Sequence, residues 1–229
     1  MCRFGLVESL YLPAPSAILV EFTRMLLSGE LLMSIWLSLK RIIWGFLLGC
    51  GMGILVGLAV GLSPVMEALI DPLLSLTYPI PKIALLPLII LWLGIGESSK
   101  VAIIAVGAFY PVCINTIAGV KGADPLLISA ARSLGANRLQ VIQKVVLMSA
   151  LPVILAGIRL AAGMSLLLVV SAEMVAATAG IGYLILYAGD LMLTTKLMAG
   201  ILVLCVLGLG STLVLQRIER ALVPWSRGR

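Results

Sequence analysis

The stretch that decides the fold is Ile42-Ile-Trp-Gly-Phe-Leu-Leu-Gly-Cys-Gly-Met-Gly-Ile-Leu-Val-Gly-Leu-Ala-Val-Gly-Leu62. It is 21 residues long and holds no charge. A bilayer-spanning helix needs about 20 apolar residues, so this segment alone predicts a membrane span. Its glycines at 45, 49, 53, 57 and 61 recur every fourth residue. On a helix they form a stripe without side chains, along which a neighbouring backbone comes close. Two readings of the stripe stay open: a sliding contact in a transporter, or tight packing in a helical bundle.

The rest of the chain agrees with this segment. Of 229 residues, 62% are hydrophobic and 11% charged, with a mean hydropathy of +1.20. Soluble domains run at about 45–50% apolar and about 25% charged, so a water-soluble globule is excluded. Disorder is excluded for the opposite reason. Val101–Val120 and Leu197–Gln216 are uncharged runs of 20 residues each. Val145–Ala172 is interrupted only by Arg159, and Leu73–Gly96 only by Lys82. Five spans are expected, at 42–62, 67–95, 101–120, 151–173 and 197–217. Pro79, Pro81 and Pro87 predict a kink or split in the second.

Residues 1–41 carry Glu8, Glu21, Arg24, Glu30, Lys40 and Arg41 and form an expected extracytoplasmic surface segment. Within it, Ser16–Leu27 reads as an amphipathic helix. No cleavable signal pattern is visible. The transmembrane domain is expected over 42–217, and a basic tail over 218–229. The net charge is +6. Lys121, Arg132, Arg138 and Lys144, with Asp124, give one segment a net +3; Arg217, Arg220, Arg227 and Arg229, with Glu219, give the tail the same. Two spans separate these regions, so the positive-inside rule makes both cytoplasmic and places the N-terminus outside. Basicity of this kind points to a membrane protein, with no nucleic-acid partner.

Chemistry is limited by what is missing. There is no His, which removes His-based acid–base catalysis and His metal sites. Cys2, Cys50, Cys113 and Cys205 form no CxxC pair and read as apolar fillers. No metal site and no bound cofactor are expected in this chain. Among the acidic residues only Glu67 and Asp71 are close, which weakens a membrane enzyme. A stand-alone channel or secondary transporter is weakened by the absence of clear repeats and coupling charges.

Residues 121–150 carry the strongest local pattern. Asp124 is an N-cap and Pro125 suits the first helical position. Leu126, Leu127, Ala130, Ala131 and Leu134 fall on one face. Gly135 suits the left-handed position that ends a helix, and Asn137 caps a second helix. A short exposed helix of this kind fits docking into a groove of a partner, or rests on lipid headgroups.

The stretch Ser129-Ala-Ala-Arg-Ser-Leu-Gly-Ala136, followed by Leu147-Met-Ser-Ala-Leu-Pro-Val-Ile-Leu-Ala-Gly-Ile-Arg159, resembles the EAA loop of binding-protein-dependent ABC importer permeases. The resemblance covers most of the chain. Leu12–Ser16, Gly61-Leu-Ser-Pro, Asp71-Pro-Leu, Pro79-Ile-Pro, Leu86-Pro-Leu, Leu91-Trp-Leu-Gly-Ile-Gly-Glu-Ser-Ser-Lys100, Ala172-Glu-Met-Val-Ala-Ala-Thr and Gly180-Ile-Gly-Tyr183 follow in order. Together they are similar to the nitrate/sulfonate/taurine subfamily. Ser129 stands where the motif has Glu, Met148 where many relatives have Pro, and Lys82 where they are apolar or Pro. The family commonly has another span before Leu12; the 11 residues that precede it here are too few to cross, so either five spans suffice or the chain begins late.

The resemblance implies an all-α polytopic bundle of the type I ABC importer kind, with a cytoplasmic coupling helix. It implies one of two identical subunits in the inner membrane, served by two ATPases carrying ATP and Mg and by an extracytoplasmic solute-binding protein facing the 176–195 stretch. The expected cargo is a small anion, an aliphatic sulfonate or taurine first, with nitrate, bicarbonate or a vitamin precursor as alternatives. Ser129, Ala130, Ala131, Arg132 and Gly135 are the expected ATPase-coupling residues. The chain has no G-x-x-x-x-G-K-[ST] phosphate loop, so hydrolysis is expected elsewhere.

Glu173 and Lys82 are the candidates for the translocation path. A carboxylate near membrane depth is costly and therefore a functional candidate. Glu173 lines a path or gate, or else caps the outer interface and pairs with Lys196 or Lys100. Lys82 lowers the barrier to an anion, or snorkels to water from a broken helix. Arg159 is expected to anchor the cytoplasmic end of the fourth span.

Overall fold

The computed structural model describes residues 13–225; Cys2, Leu12, Arg227 and Arg229 lie outside them. Among the described residues every regular element is a helix: α1 Pro15–Leu27, α2 Glu30–Leu62, α3 Pro64–Thr77, α4 Leu86–Leu93, α5 Glu97–Lys121, α6 Pro125–Ser133, α7 Arg138–Val141, α8 Leu147–Ala176, α9 Ile181–Asp190 and α10 Thr194–Leu222. This is what a bilayer requires, because a helix satisfies its backbone internally.

α1 covers the helix expected over Ser16–Leu27, with Met25 buried in a core that Ile18 and Phe22 pack against. α2 departs from expectation at its start: it begins at Glu30, well before Ile42, and is 33 residues long. Lys40 and Arg41 do not end the span, because the Arg41 charge is met inside the protein, as described below. The expected span 67–95 is split. α3 stops at Thr77, Tyr78-Pro-Ile-Pro81 interrupts it, a tight turn covers Lys82–Leu85, and α4 resumes at Leu86. Pro79 and Pro81 lack the N–H that a continuing helix needs. Pro111 and Pro152 instead lie inside α5 and α8 without ending them. α7 runs through one π-helical turn, Ile142–Val146, into α8, giving a continuous Arg138–Ala176 span.

Four helices are long and apolar enough to cross a membrane, and five crossings result if the broken pair is one. Two ion pairs join helix ends, one within each compact unit described below. Arg41, early in α2, meets Glu97 at the start of α5, and Lys121 at the end of α5 meets Glu67 at the start of α3. A 25-residue α5 is about 37 Å long, enough for the ~30 Å core.

The chain divides into two compact units. One holds residues up to Gly45, Lys82–Ile104 and Leu166–Gly210; the other holds Phe46–Pro81, Ala105–Ser165 and the chain from Ser211. In the first, Leu86, Ile89, Ile103, Ile104, Leu168 and Val169 form one core, and Met25, Leu31, Ile181, Leu184 and Val203 another. In the second, Val120, Val141, Val146, Ala150 and Ile154 form one core, and Cys50, Ala108, Val112 and Ala161 another.

The glycine stripe of α2 lies against α5. A Cβ on Gly45 would stand 2.6 Å from Ile104 Cβ in the first unit. In the second unit, a Cβ on Gly49 would stand 2.3 Å from the Ala105 carbonyl, and one on Gly53 2.8 Å from that of Phe109. One on Gly57 would stand 2.6 Å from Thr116, and one on Gly61 2.8 Å from Val120. In lipid, where burial gives helices no hydrophobic drive to associate, such close backbone approach supplies the attraction. Gly51, outside the stripe, has open space around it.

Candidate functional site

The helix α6 is built as its sequence predicts. The Asp124 carboxylate accepts from Leu126 N–H at 2.8 Å, and Pro125 occupies the first turn. At the other end Gly135 adopts φ +84°. Its N–H reaches the Arg132 carbonyl at 2.9 Å and Ala136 N–H reaches the Ala131 carbonyl at 3.0 Å, the paired bonds of a Schellman stop. Asn137 and Gln140 then form a capping box for α7.

The expected apolar face of α6 divides in two. Ala131, with Ile128 and Ala136, packs inward against the core of Val120, Val141, Val146 and Ala150. Leu126, Leu127 and Leu134 stand exposed, Leu134 to 89%. Ser129, Ala130, Arg132 and Gly135 are exposed as well. At about 100° per residue Ala131 lies between the exposed Leu127 and Leu134 on one side and the packed Ile128 on the other, so Ala131 marks the edge of the packed face and the neighbouring helix ends decide where that edge falls.

The second site lies in the first unit, around Glu173. Its side chain is 0% exposed, yet it is saturated with donors. Arg41 Nη1 donates to Oε1 at 2.7 Å, and Gly182 N–H donates to Oε2 at 2.8 Å. The Ser38 hydroxyl donates from 2.7 and 2.9 Å of the two oxygens, and accepts from Ile181 N–H at 2.9 Å. Gly180 sits at φ +128°, and a Cβ there would lie 2.5 Å from the carboxylate. The Gly180-Ile-Gly182 turn is therefore a backbone cradle for the Glu173 side chain.

Arg41 links this carboxylate to a second one. Its Nε and Nη2 donate to the two oxygens of Glu97 at 2.7 and 2.6 Å, a bidentate fork. Nη1 also donates to the Ala179 carbonyl at 2.8 Å. Lys100 Nζ, buried, stands 3.5 Å from Glu97. Two carboxylates and two cations thus alternate and cancel. An unpaired buried charge would be prohibitive, and among the described residues no buried side-chain nitrogen or oxygen lacks a partner.

Neither expected partner of Glu173 is its partner. Lys196 pairs with Glu30 at 2.6 Å, and Lys100 reaches Glu97 instead. Lys82 opens the turn Lys82–Leu85. Arg159 pairs with Glu219 of α10. Sequence reasoning counted Arg41 among loop charges and passed over Ser38 and Glu97. A signal was present: Ser38 and Arg41 are one helical turn apart beside an uncharged span, and Glu97 begins another. No group of three or more His, Cys, Asp or Glu side chains among the described residues is placed to hold a metal ion.

Three comparisons bear on this arrangement. The family of inner membrane components of binding-protein-dependent transport systems matches residues 49–228. A Bacillus subtilis (strain 168) protein, provisionally assigned as the aliphatic sulfonates transport permease SsuC, is 41% identical over 221 residues, covering 96% of this chain and 80% of its own length. The taurine transport system permease TauC of Escherichia coli (strain K12) is 38% identical over 225 residues, covering 96% of this chain and 82% of its own length. Among solved structures, a chain of the MetNI methionine ABC transporter in inward-facing conformations superposes with a TM-score of 0.73 at 20% identity, covering 86% of this chain and 97% of that one.

Proposed function

The chain belongs to the family of binding-protein-dependent transport system inner membrane components, and from that membership we propose the cargo and the assembly it serves. It is a transmembrane permease subunit of an ABC importer. The cargo is a small organic sulfonate, with taurine the first candidate, since relatives sharing 38–41% of residues are assigned to taurine and aliphatic sulfonates. The working unit is two copies of this chain, two ATPase subunits that hold ATP and Mg, and a solute-binding protein on the outer side. The 121–144 segment and the C-terminal tail face the cytoplasm, where their basic residues are favoured.

The observation that carries the coupling role is α6. Its two ends are fixed by the Asp124 cap and the Gly135 stop, its inner face is packed, and its outer face leaves Leu126, Leu127 and Leu134 exposed. Such a helix fits a groove on the ATPase, and each leucine it buries there contributes about 1.5–3 kcal/mol. Because Ile128 and Ala131 press on the ends of α5 and α8, displacing α6 displaces those spans, which is the motion alternating access requires. Ser129 replaces an acidic motif residue, so docking rests on apolar contact there. Glu173 and Lys82 are candidates for the outer gate and the solute path.

The test is reconstitution of the permease with its ATPase and binding protein in vesicles. Taurine uptake that needs ATP, the binding protein and this chain supports the reading. Uptake of nitrate or bicarbonate in place of any sulfonate overturns the cargo. Uptake independent of ATP overturns the importer role.

A further inference from the structure

Arg41 holds two carboxylates in unlike surroundings. Glu173 is fully buried and also caged by Ser38, the Gly182 N–H and the close approach of Gly180. Glu97 is 53% exposed and is held by the cations of Arg41 and Lys100. We propose that Arg41 is a positioning residue with one fixed arm and one releasable arm: it stays locked to Glu173 and the α8–α9 turn, and lets go of Glu97 so that the start of α5 detaches during the transport cycle. This rests on reading the chain as the moving part of an ATP-driven importer.

The two arms differ in what separation would leave behind. If α5 withdraws, Arg41 keeps Glu173 Oε1 and the Ala179 carbonyl at 2.7 and 2.8 Å. Water entering behind Glu97 then solvates Nε and Nη2. Glu97 in turn keeps Lys100 and the favourable N-terminal end of α5, and is already half in solvent. Neither partner becomes an orphan. If Arg41 instead left Glu173, an anion would remain enclosed with only neutral donors around it, which is far more costly. Arg41 is buried in both contacts, but Glu97 is half open to water and Glu173 is not, so salt reaches only the Glu97 arm. The contact between Arg41 and Glu97 is therefore the seam at which this cluster opens.

The experiment uses the complete complex of permease, ATPase and binding protein in lipid nanodiscs. Its ATP hydrolysis without binding protein is measured at about 0.05 and about 0.5 M NaCl, where the screening length falls several-fold. In the wild type the basal rate rises with salt as the arm loosens. Glu97→Gln raises it at low salt by about fivefold, equivalent to about 1 kcal/mol, and flattens the salt response. Glu97→Asp restores that response. An unchanged rate and salt response in Glu97→Gln overturn the proposal. Hydrogen exchange on the wild-type complex needs no variant: with ATP, the first bonded amides of α5, residues 100–104, lose protection while 173–182 keep theirs. Joint loss, or loss at neither, overturns it. Hydrolysis that the binding protein fails to stimulate in the wild type rejects the importer reading, a separate outcome.

Discussion

The Arg41 guanidinium and the Glu173 carboxylate meet at 2.7 Å across 132 residues of chain, with 4% and 0% of their side chains exposed. Each would be untenable alone at the end of a span, and together they tie the start of α2 to the end of α8. Removing one partner of such a pair costs about 3–5 kcal/mol, because the other charge is stranded. Arg41→Met is expected to lower the midpoint of thermal unfolding in detergent strongly. Glu97→Gln removes the half-exposed arm and leaves Arg41 paired with Glu173, so it is expected to cost clearly less than Arg41→Met. Equal losses in the two variants would contradict the asymmetry.

Gly180 and Gly135 both have positive φ, but their surroundings differ. Gly135, at +84°, has nothing within 4 Å of where a Cβ would stand, so Gly135→Ala carries only the left-handed backbone cost, about 1–2 kcal/mol. Gly180→Ala adds to its backbone strain a Cβ 2.5 Å from the Glu173 carboxylate. It is expected to abolish monodisperse protein on size-exclusion chromatography, while Gly135→Ala yields folded protein.

The stripe and its neighbour in α2 offer a matched pair. Gly49→Ala drives a methyl into the Ala105 carbonyl, and Gly51→Ala meets open space. The first is expected to cost about 1–3 kcal/mol through overpacking. The second is expected to be neutral or stabilising by up to about 1 kcal/mol, as alanine favours helix over glycine. Thermal unfolding of the two variants side by side separates packing from propensity.

On α6, Leu134→Glu and Ala131→Glu should fail in different ways. Leu134 is almost fully exposed, so its variant is expected to keep the unfolding midpoint and lose co-purification of the ATPase. Ala131 packs on the Val120–Ala150 core, so a carboxylate there is expected to unfold that end of the bundle first. Retained co-purification in a folded Leu134→Glu protein would remove the docking role from this face.

The caps of α6, its glycine stop and the capping box of α7 were legible because each is a bond between residues two to five apart. So was the split near Pro79 and Pro81, since a missing N–H is a property of the residue itself. The inward side of α6 was not: Ala130 and Ala131 are alike in sequence, and only the neighbouring helices distinguish them. The choice of Lys196 or Lys100 for Glu173 went wrong for a related reason. It looked for the nearest cation in the outer loops, while the acceptor was filled by an arginine inside α2.

By itself the sequence determined that this chain lives in a bilayer, which runs are helical and where the second of them breaks. Those properties follow from composition, period and local hydrogen bonding, all of which act over a turn or two of chain. The tertiary structure decided that α2 starts at Glu30, that the segment after it breaks into α3 and α4, and that Arg41 divides itself between Glu97 and Glu173. A charge beside an apolar run announces that it needs a counter-charge. Which one it takes depends on which helix ends meet, and that is settled only when the helices pack.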